Sequence, residues 1–211
     1  ELRARAWFNP SLESRLFNVP AIMGTLMLTT CLMLTTMTLV REREIGTLDQ
    51  LLVSPVTSLE IMLGKMTPVM GVGLFHLLIF VSLTLFHFGV PFRGSVASVA
   101  LASFLYLLAS MAIGLLVSAV SATQQEAFML MILIMLPTII LSGFLSPIET
   151  MPKAFQWLTL INPVRHYLDI VRGVFLKGTG LVELWPQFGA LALTSIGGLV
   201  LAGNRFRRSI A

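Results

Sequence analysis

Five runs of mostly apolar residues, each about 20 long, set the pattern of the chain, and charged, proline- or glycine-containing stretches separate them. A helix rises about 1.5 Å per residue, so a hydrocarbon core some 30 Å thick needs roughly 20 such residues. Residues 19–40, 68–88, 96–121, 127–146 and 185–204 reach that length and predict five transmembrane helices. The last has the shortest apolar stretch, but Trp185 at one end and Arg205, Arg207 and Arg208 at the other supply interfacial anchors. The connections at 89–95 and 121–126 are tight, which makes helices two to four antiparallel neighbours. The expected fold is all-α, a polytopic helical membrane bundle. Residues 1–18 are polar, broken by Asn9-Pro10 and Asn18-Val19-Pro20, and read as an aqueous segment before the bundle at 19–211.

Two further segments carry helical periodicity without the length of a crossing. In residues 41–55, Ile45, Leu48, Leu51 and Leu52 fall on one face and leave Arg43, Glu44, Asp49 and Gln50 on the other, with Ser54-Pro55 as a stop. This predicts a short amphipathic helix along the membrane plane, serving as an interfacial anchor or as a docking element. In residues 147–184, Asn162 is placed to cap a helix, Pro163 sits at the first helical position, and Gly178 marks the stop. Between them Val164, Tyr167, Leu168, Val171, Val174 and Phe175 follow i, i+3, i+4, i+7 spacing, while Arg165, His166, Asp169, Arg172 and Lys177 fall elsewhere. Such a helix sits in the interface or dips into the bundle, as a gate over a path or a lid sealing one end.

Composition agrees: 56% of the 211 residues are hydrophobic and only 11% charged, against roughly 25% charged in soluble domains. The net charge of +4 comes from basic residues scattered near the ends of apolar runs, which suits lipid headgroups and speaks against nucleic acid. Arg41, Arg43, Lys65, Arg205, Arg207 and Arg208 fall on one side of five crossings and the remaining eight basic residues on the other, so charge bias leaves orientation open. A single cysteine, Cys31, within an apolar run gives no disulfide framework and no metal or redox motif. The one Gly-Lys pair, Gly64-Lys65, has Leu59 where a phosphate-binding loop needs glycine and Met66 where it needs Ser or Thr.

Three segments in order, Arg41-Glu42-Arg43-Glu44-Ile45-Gly46-Thr47-Leu48-Asp49-Gln50-Leu51-Leu52-Val53-Ser54-Pro55, Leu141-Ser142-Gly143-Phe144-Leu145-Ser146-Pro147-Ile148-Glu149-Thr150-Met151-Pro152 and Asn162-Pro163-Val164-Arg165-His166-Tyr167, resemble the ABC-2 type permeases, the membrane subunits of ABC exporters. The resemblance runs from Asn9-Pro10-Ser11-Leu12-Glu13-Ser14-Arg15 to the basic C-terminus and is nearest to bacterial multidrug-type exporters. It implies a multi-pass protein of the bacterial cytoplasmic membrane that is not itself an enzyme. ATP and Mg would bind a separate ABC subunit, and a second permease subunit, identical or not, would complete the pathway for a small-molecule substrate. Residues 41–55 become a cytoplasmic coupling helix with Arg43, Glu44, Gly46 and Thr47 at the coupling point. Residues 147–184 become short extracellular re-entrant helices with Asn162, Pro163 and Arg165 at a gate. The family has six crossings and a large extracellular domain after the first, so residues 1–18 are expected to be the end of that domain.

The residues also define the competing readings. An ion-coupled carrier usually places charged groups inside its crossings, because each costs roughly 2.5 to 3.5 kcal/mol to insert. None of the five interiors carries one, and His76 is the ionisable group well within a crossing. An intramembrane enzyme would need a nucleophile with a positioned base or an HExxH metal motif, and neither occurs. For the cargo path, Thr25, Thr29 and Thr36 share a face of the first crossing; their hydroxyls either line a cavity with His76 or bond their own helix carbonyls. Small residues every four positions, at Ser110, Gly114 and Ser118 and at Ala190, Thr194, Gly198 and Ala202, predict close helix contacts within one subunit or between two.

Overall fold

The computed structural model describes residues 14–47, 57–89, 92–145 and 147–210. Within them the regular elements are helices: α1 (Ser14–Ile45), α2 (Ser58–Ser82), α3 (Val96–Val120), α4 (Gln124–Ile140), α5 (Lys153–Leu158), α6 (Pro163–Arg172) and α7 (Trp185–Ile210). Single π-turns extend α2 over Leu83–His87 and α6 over Gly173–Lys177. Asn18–Ile45, Glu60–His87, Val96–Val120 and Trp185–Arg205 are long and apolar enough to cross a membrane.

The expected fourth crossing differs. It ends at Ile140 instead of Ser146, leaving 17 residues, about 25 Å of helix against a core of about 30 Å. Local chemistry stops it despite the apolar residues beyond. Gly143 takes a left-handed φ of +79°. The Ser142 hydroxyl donates to the Ile139 carbonyl (2.6 Å) and accepts the Phe144 N–H (3.2 Å), trading the helical ladder for a side-chain turn. The second crossing departs the other way and starts ten residues before Pro68. A capping box accounts for this: the Glu60 N–H donates to the Thr57 hydroxyl (3.4 Å) and the Glu60 carboxylate accepts the Thr57 N–H (2.7 Å).

The apolar face predicted for the Asn162–Gly178 helix is buried to completion, with Val164, Tyr167, Leu168, Val171, Val174 and Phe175 each 0% exposed. Of the two placements open to it, α6 takes the deeper one and wedges among α1, α3 and α7. Tyr167 stacks on Tyr106 of α3, centroids 4.1 Å apart and planes 6° from parallel. Their hydroxyls are satisfied: Tyr106 donates to the Gly24 carbonyl (2.8 Å), and Tyr167 shares a hydrogen bond with Ser103 (3.1 Å).

Both small-residue stripes serve contacts inside the subunit. A Cβ on Gly114 would lie 2.9 Å from the Thr35 Cβ and 3.1 Å from the Leu32 carbonyl, so the stripe on α3 brings α1 close. Gly198 meets the Ala112 Cβ in the same way, joining α7 to α3. Large apolar side chains on α2, α4 and α7, including Phe75, Leu133 and Leu193, are exposed, as a hydrocarbon-facing perimeter requires.

Candidate coupling site at the end of α1

Residues 41–45 do not open a separate helix. They are the last turn of α1, and the break comes at Gly46, whose φ of +80° and N–H bond to the Arg43 carbonyl (3.1 Å) end the helix in a left-handed turn. The Thr47 hydroxyl donates back to the Glu42 carbonyl (3.2 Å) and closes the same turn. Residues 48–55 of the expected coupling helix lie outside the described residues.

That last turn reaches three other helices through three consecutive side chains. Glu42 pairs with Lys65 near the start of α2. The Arg43 guanidinium donates to the carbonyls of Ser118 and Ser121, both at 3.0 Å, where α3 ends. Glu44 accepts the Gln124 backbone N–H (3.2 Å) and side-chain amide (2.8 Å), where α4 begins. The signs match the helix dipoles: a cation meets the exposed carbonyls of a C-terminus, and an anion meets the free N–H groups of an N-terminus, each contributing about 0.3 to 1 kcal/mol. Residues 43 and 44 thereby straddle the α3–α4 turn. The same turn holds itself, since Glu126 accepts the Ala122 N–H (2.8 Å) and donates its own N–H to the Thr123 hydroxyl (3.3 Å).

The family resemblance points to Arg43, Glu44, Gly46 and Thr47 and not to their counterparts Lys65, Gln124 and the Ser118 and Ser121 carbonyls. Part of the signal was available. Thr57-x-x-Glu60 and Thr123-x-x-Glu126 both have the spacing of helix-start caps, which locates the beginnings of α2 and α4 beside the end of α1.

The candidate pathway residues do not converge. Thr25 donates to the Ile22 carbonyl (2.9 Å) and Thr29 to the Thr25 carbonyl (2.8 Å), the self-bonding alternative. Thr29 also meets the Met135 sulfur (3.4 Å), and buried Thr36 donates to the Gly114 carbonyl (3.2 Å), so both serve packing against α4 and α3. His76 is half-buried with its ring 5.9 Å from Phe80, and its buried Nδ1 has no hydrogen-bond partner among the described residues.

At the opposite end, Asn162 and Pro163 meet while Arg165 turns away. Asn162 caps α6 by accepting the Val164 N–H (3.0 Å), and its amide donates to the Thr138 carbonyl of α4 (2.7 Å). Arg165 bonds the Thr159 hydroxyl and braces the preceding turn. Asn162 and Pro163 border a cavity of about 650 Å³ between α3, α4 and α7, whose walls include Ala109, Pro137, Thr138 and Gly197. It is almost wholly apolar. A second cavity of about 490 Å³ lies beside the polar face of α6, with Glu149, Asp169, Arg172 and Lys177 on its walls. Burial pushes the Asp169 carboxyl up, opposed by Arg165 and Arg172, and lowers the Arg172 guanidinium to about 10.

The described residues thus form a bundle of apolar helices with a buried short helix, an apolar cavity and a charged, three-way joint at one end. The chain belongs to the ABC-2 family: residues 1–203 match the family described as ABC-2 family transporter protein. It is similar to the probable multidrug ABC transporter permease YbhR of Escherichia coli strain K12, 38% identical over 210 residues, covering all of this chain and 57% of the relative. It is also similar to the inner membrane transport permease YhhJ of the same strain, at 36% over 99% of this chain and 56% of the relative. ABC transporter G family member 20 of Dictyostelium discoideum matches at 30% over 85% of this chain and 25% of its own length. The chain spans a little over half the length of the two bacterial relatives.

Proposed function

We propose that this chain is the translocating part of an ABC exporter permease in a bacterial inner membrane, moving an apolar or amphipathic small molecule by alternating access. Energy comes from ATP and Mg bound on a separate ABC subunit, and a second permease subunit completes the pathway. The observation that carries this reading is the joint at the end of α1: one helical turn, Glu42 to Glu44, holds the near ends of α2, α3 and α4. A push applied there by a soluble partner reaches three further helices without an intervening loop. In this reading the joint is cytoplasmic, α4 completes a fifth crossing, and residues 147–184 face outward with Asn162 and Pro163 at the outer end of the apolar cavity.

The test is reconstitution of the full-length parent permease with its ATP-binding subunit. Glu44→Ala is expected to insert normally while ATP-dependent export of an amphipathic dye falls at least tenfold. Unchanged export with unchanged ATPase stimulation would overturn the assignment. The buried His76 Nδ1, without a hydrogen-bond partner among the described residues, favours one other reading, an ion-coupled carrier. That reading requires export that survives ATP depletion, collapses with the proton gradient and is lost in His76→Ala.

A further inference from the structure

The last turn of α1 holds its three neighbours unequally, because they are not equally held by the rest of the bundle. α3 is buried over most of its length, whereas on α4 Ala127 and Met131 are the buried side chains among the described residues. Met129 and Leu133 of α4 are more than half exposed. A densely packed helix moves only with its core, while a thinly packed one is free to tilt. Side-chain bonds tie α4 near both ends, to Glu44 at Gln124 and to Asn162 at Thr138. Pro137, one residue before the second tie, has no N–H to give to the helical ladder. Pro137 and Thr138 are also the part of α4 that walls the apolar cavity.

We infer that Gln124 is a positioning residue through which Glu44 tilts α4, the movable wall of the apolar cavity. The inference rests on the coupling reading of Glu44 and adds the route. Arg43 keeps the end of α3 in register with α1, and the charge-assisted bond from Gln124 to Glu44 pulls the foot of α4 along with them. The bulk of α3 stays fixed, so the gap between α4 and the α3–α7 wall changes.

The experiment uses the full-length permease with its ATP-binding subunit in nanodiscs. Gln124→Ala is expected to keep co-purification and basal ATPase activity but to lower amphiphile-stimulated ATPase about tenfold. The exchange pair Glu44→Gln with Gln124→Glu keeps an amide-to-carboxylate bond with its polarity reversed. It is expected to recover at least half of the stimulation, which assigns the effect to the bond and not to either residue alone. Spin labels at Met129→Cys and Leu193→Cys, in a background with Cys31 and any cysteine outside these 211 residues replaced by Ala, read the gap between α4 and α7 directly. Their distance distribution is expected to shift on ATP binding in wild type and to stay fixed in Gln124→Ala.

Normal stimulation in Gln124→Ala alongside a dead Glu44→Ala overturns the inference, because Glu44 then acts on its partner directly. Lost co-purification in Gln124→Ala overturns it as well, making the turn a docking contact. If no ATP-binding subunit associates with the wild-type permease, the coupling reading fails, and the label pair still decides. Amphiphile then replaces ATP as the trigger, and a shift that Gln124→Ala leaves intact overturns the inference.

Discussion

Gly114 marks a close approach of α1 to α3, where the Thr36 hydroxyl reaches its carbonyl at 3.2 Å. A methyl there would stand 3.1 Å from a backbone oxygen that cannot rotate away. Gly114→Ala is therefore expected to destabilise the bundle by about 1 to 3 kcal/mol, the range for overpacked cores. A thermal melt in detergent that matches wild type would count against the close contact. Thr57 and Glu60 carry a second prediction. The Glu60 carboxylate accepts the Thr57 N–H and the Thr57 hydroxyl accepts the Glu60 N–H, so removing the carboxylate leaves half of the cap. Hydrogen exchange at residues 58–62 should be faster in Glu60→Ala than in wild type at pH 7. Equal rates would rule out the reciprocal cap.

At the scale of elements, α6 was the most legible part of the chain. Asn162, Pro163, the apolar spacing and Gly178, which takes a φ of +69°, all do in the structure what their types require. Its depth was not legible, because periodicity names a buried face without saying what buries it; the Tyr106–Tyr167 stack and Gly24 supply that. The end of α4 was misread because hydropathy continues through Phe144 and Leu145 while the backbone obeys Ser142 and Gly143. The charges of residues 42–44 stand out in the sequence, yet their partners lie 23, 75 and 80 residues away along the chain and leave no local pattern. Asn162 separates two of these element-level roles. Asn162→Asp retains the oxygen that caps α6 and loses the amide that holds Thr138. It is expected to leave the α6 amides protected while exchange at residues 139–145 rises. If α6 loses protection equally, the tie to α4 is not separable from the cap.

For the molecule as a whole, a crossing completed by the 17 residues of α4 decides which faces the two candidate sites occupy. The turn at Ala122 to Glu126 and the exposed Trp157 flank α4 in sequence. If α4 crosses, they lie on opposite sides of the membrane. If it dips and returns, they lie on the same side, and the Glu44 joint and the Asn162 cap could not open a path between two compartments. The chain is suited to the measurement, since its single cysteine, Cys31, is 0% exposed in the core and should stay silent. In the full-length permease, with any cysteine outside these 211 residues replaced by Ala, Trp157→Cys is expected to react with a membrane-impermeant maleimide in intact cells. Gln125→Cys should react only after permeabilisation. The thinness of α4 does not argue against crossing, because residues 141–145 carry Leu141, Phe144 and Leu145 beyond its last turn and extend the apolar length without extending the helix. Labelling of both positions from the same side would remove the fifth crossing and, with it, the placement of the apolar cavity on an export route.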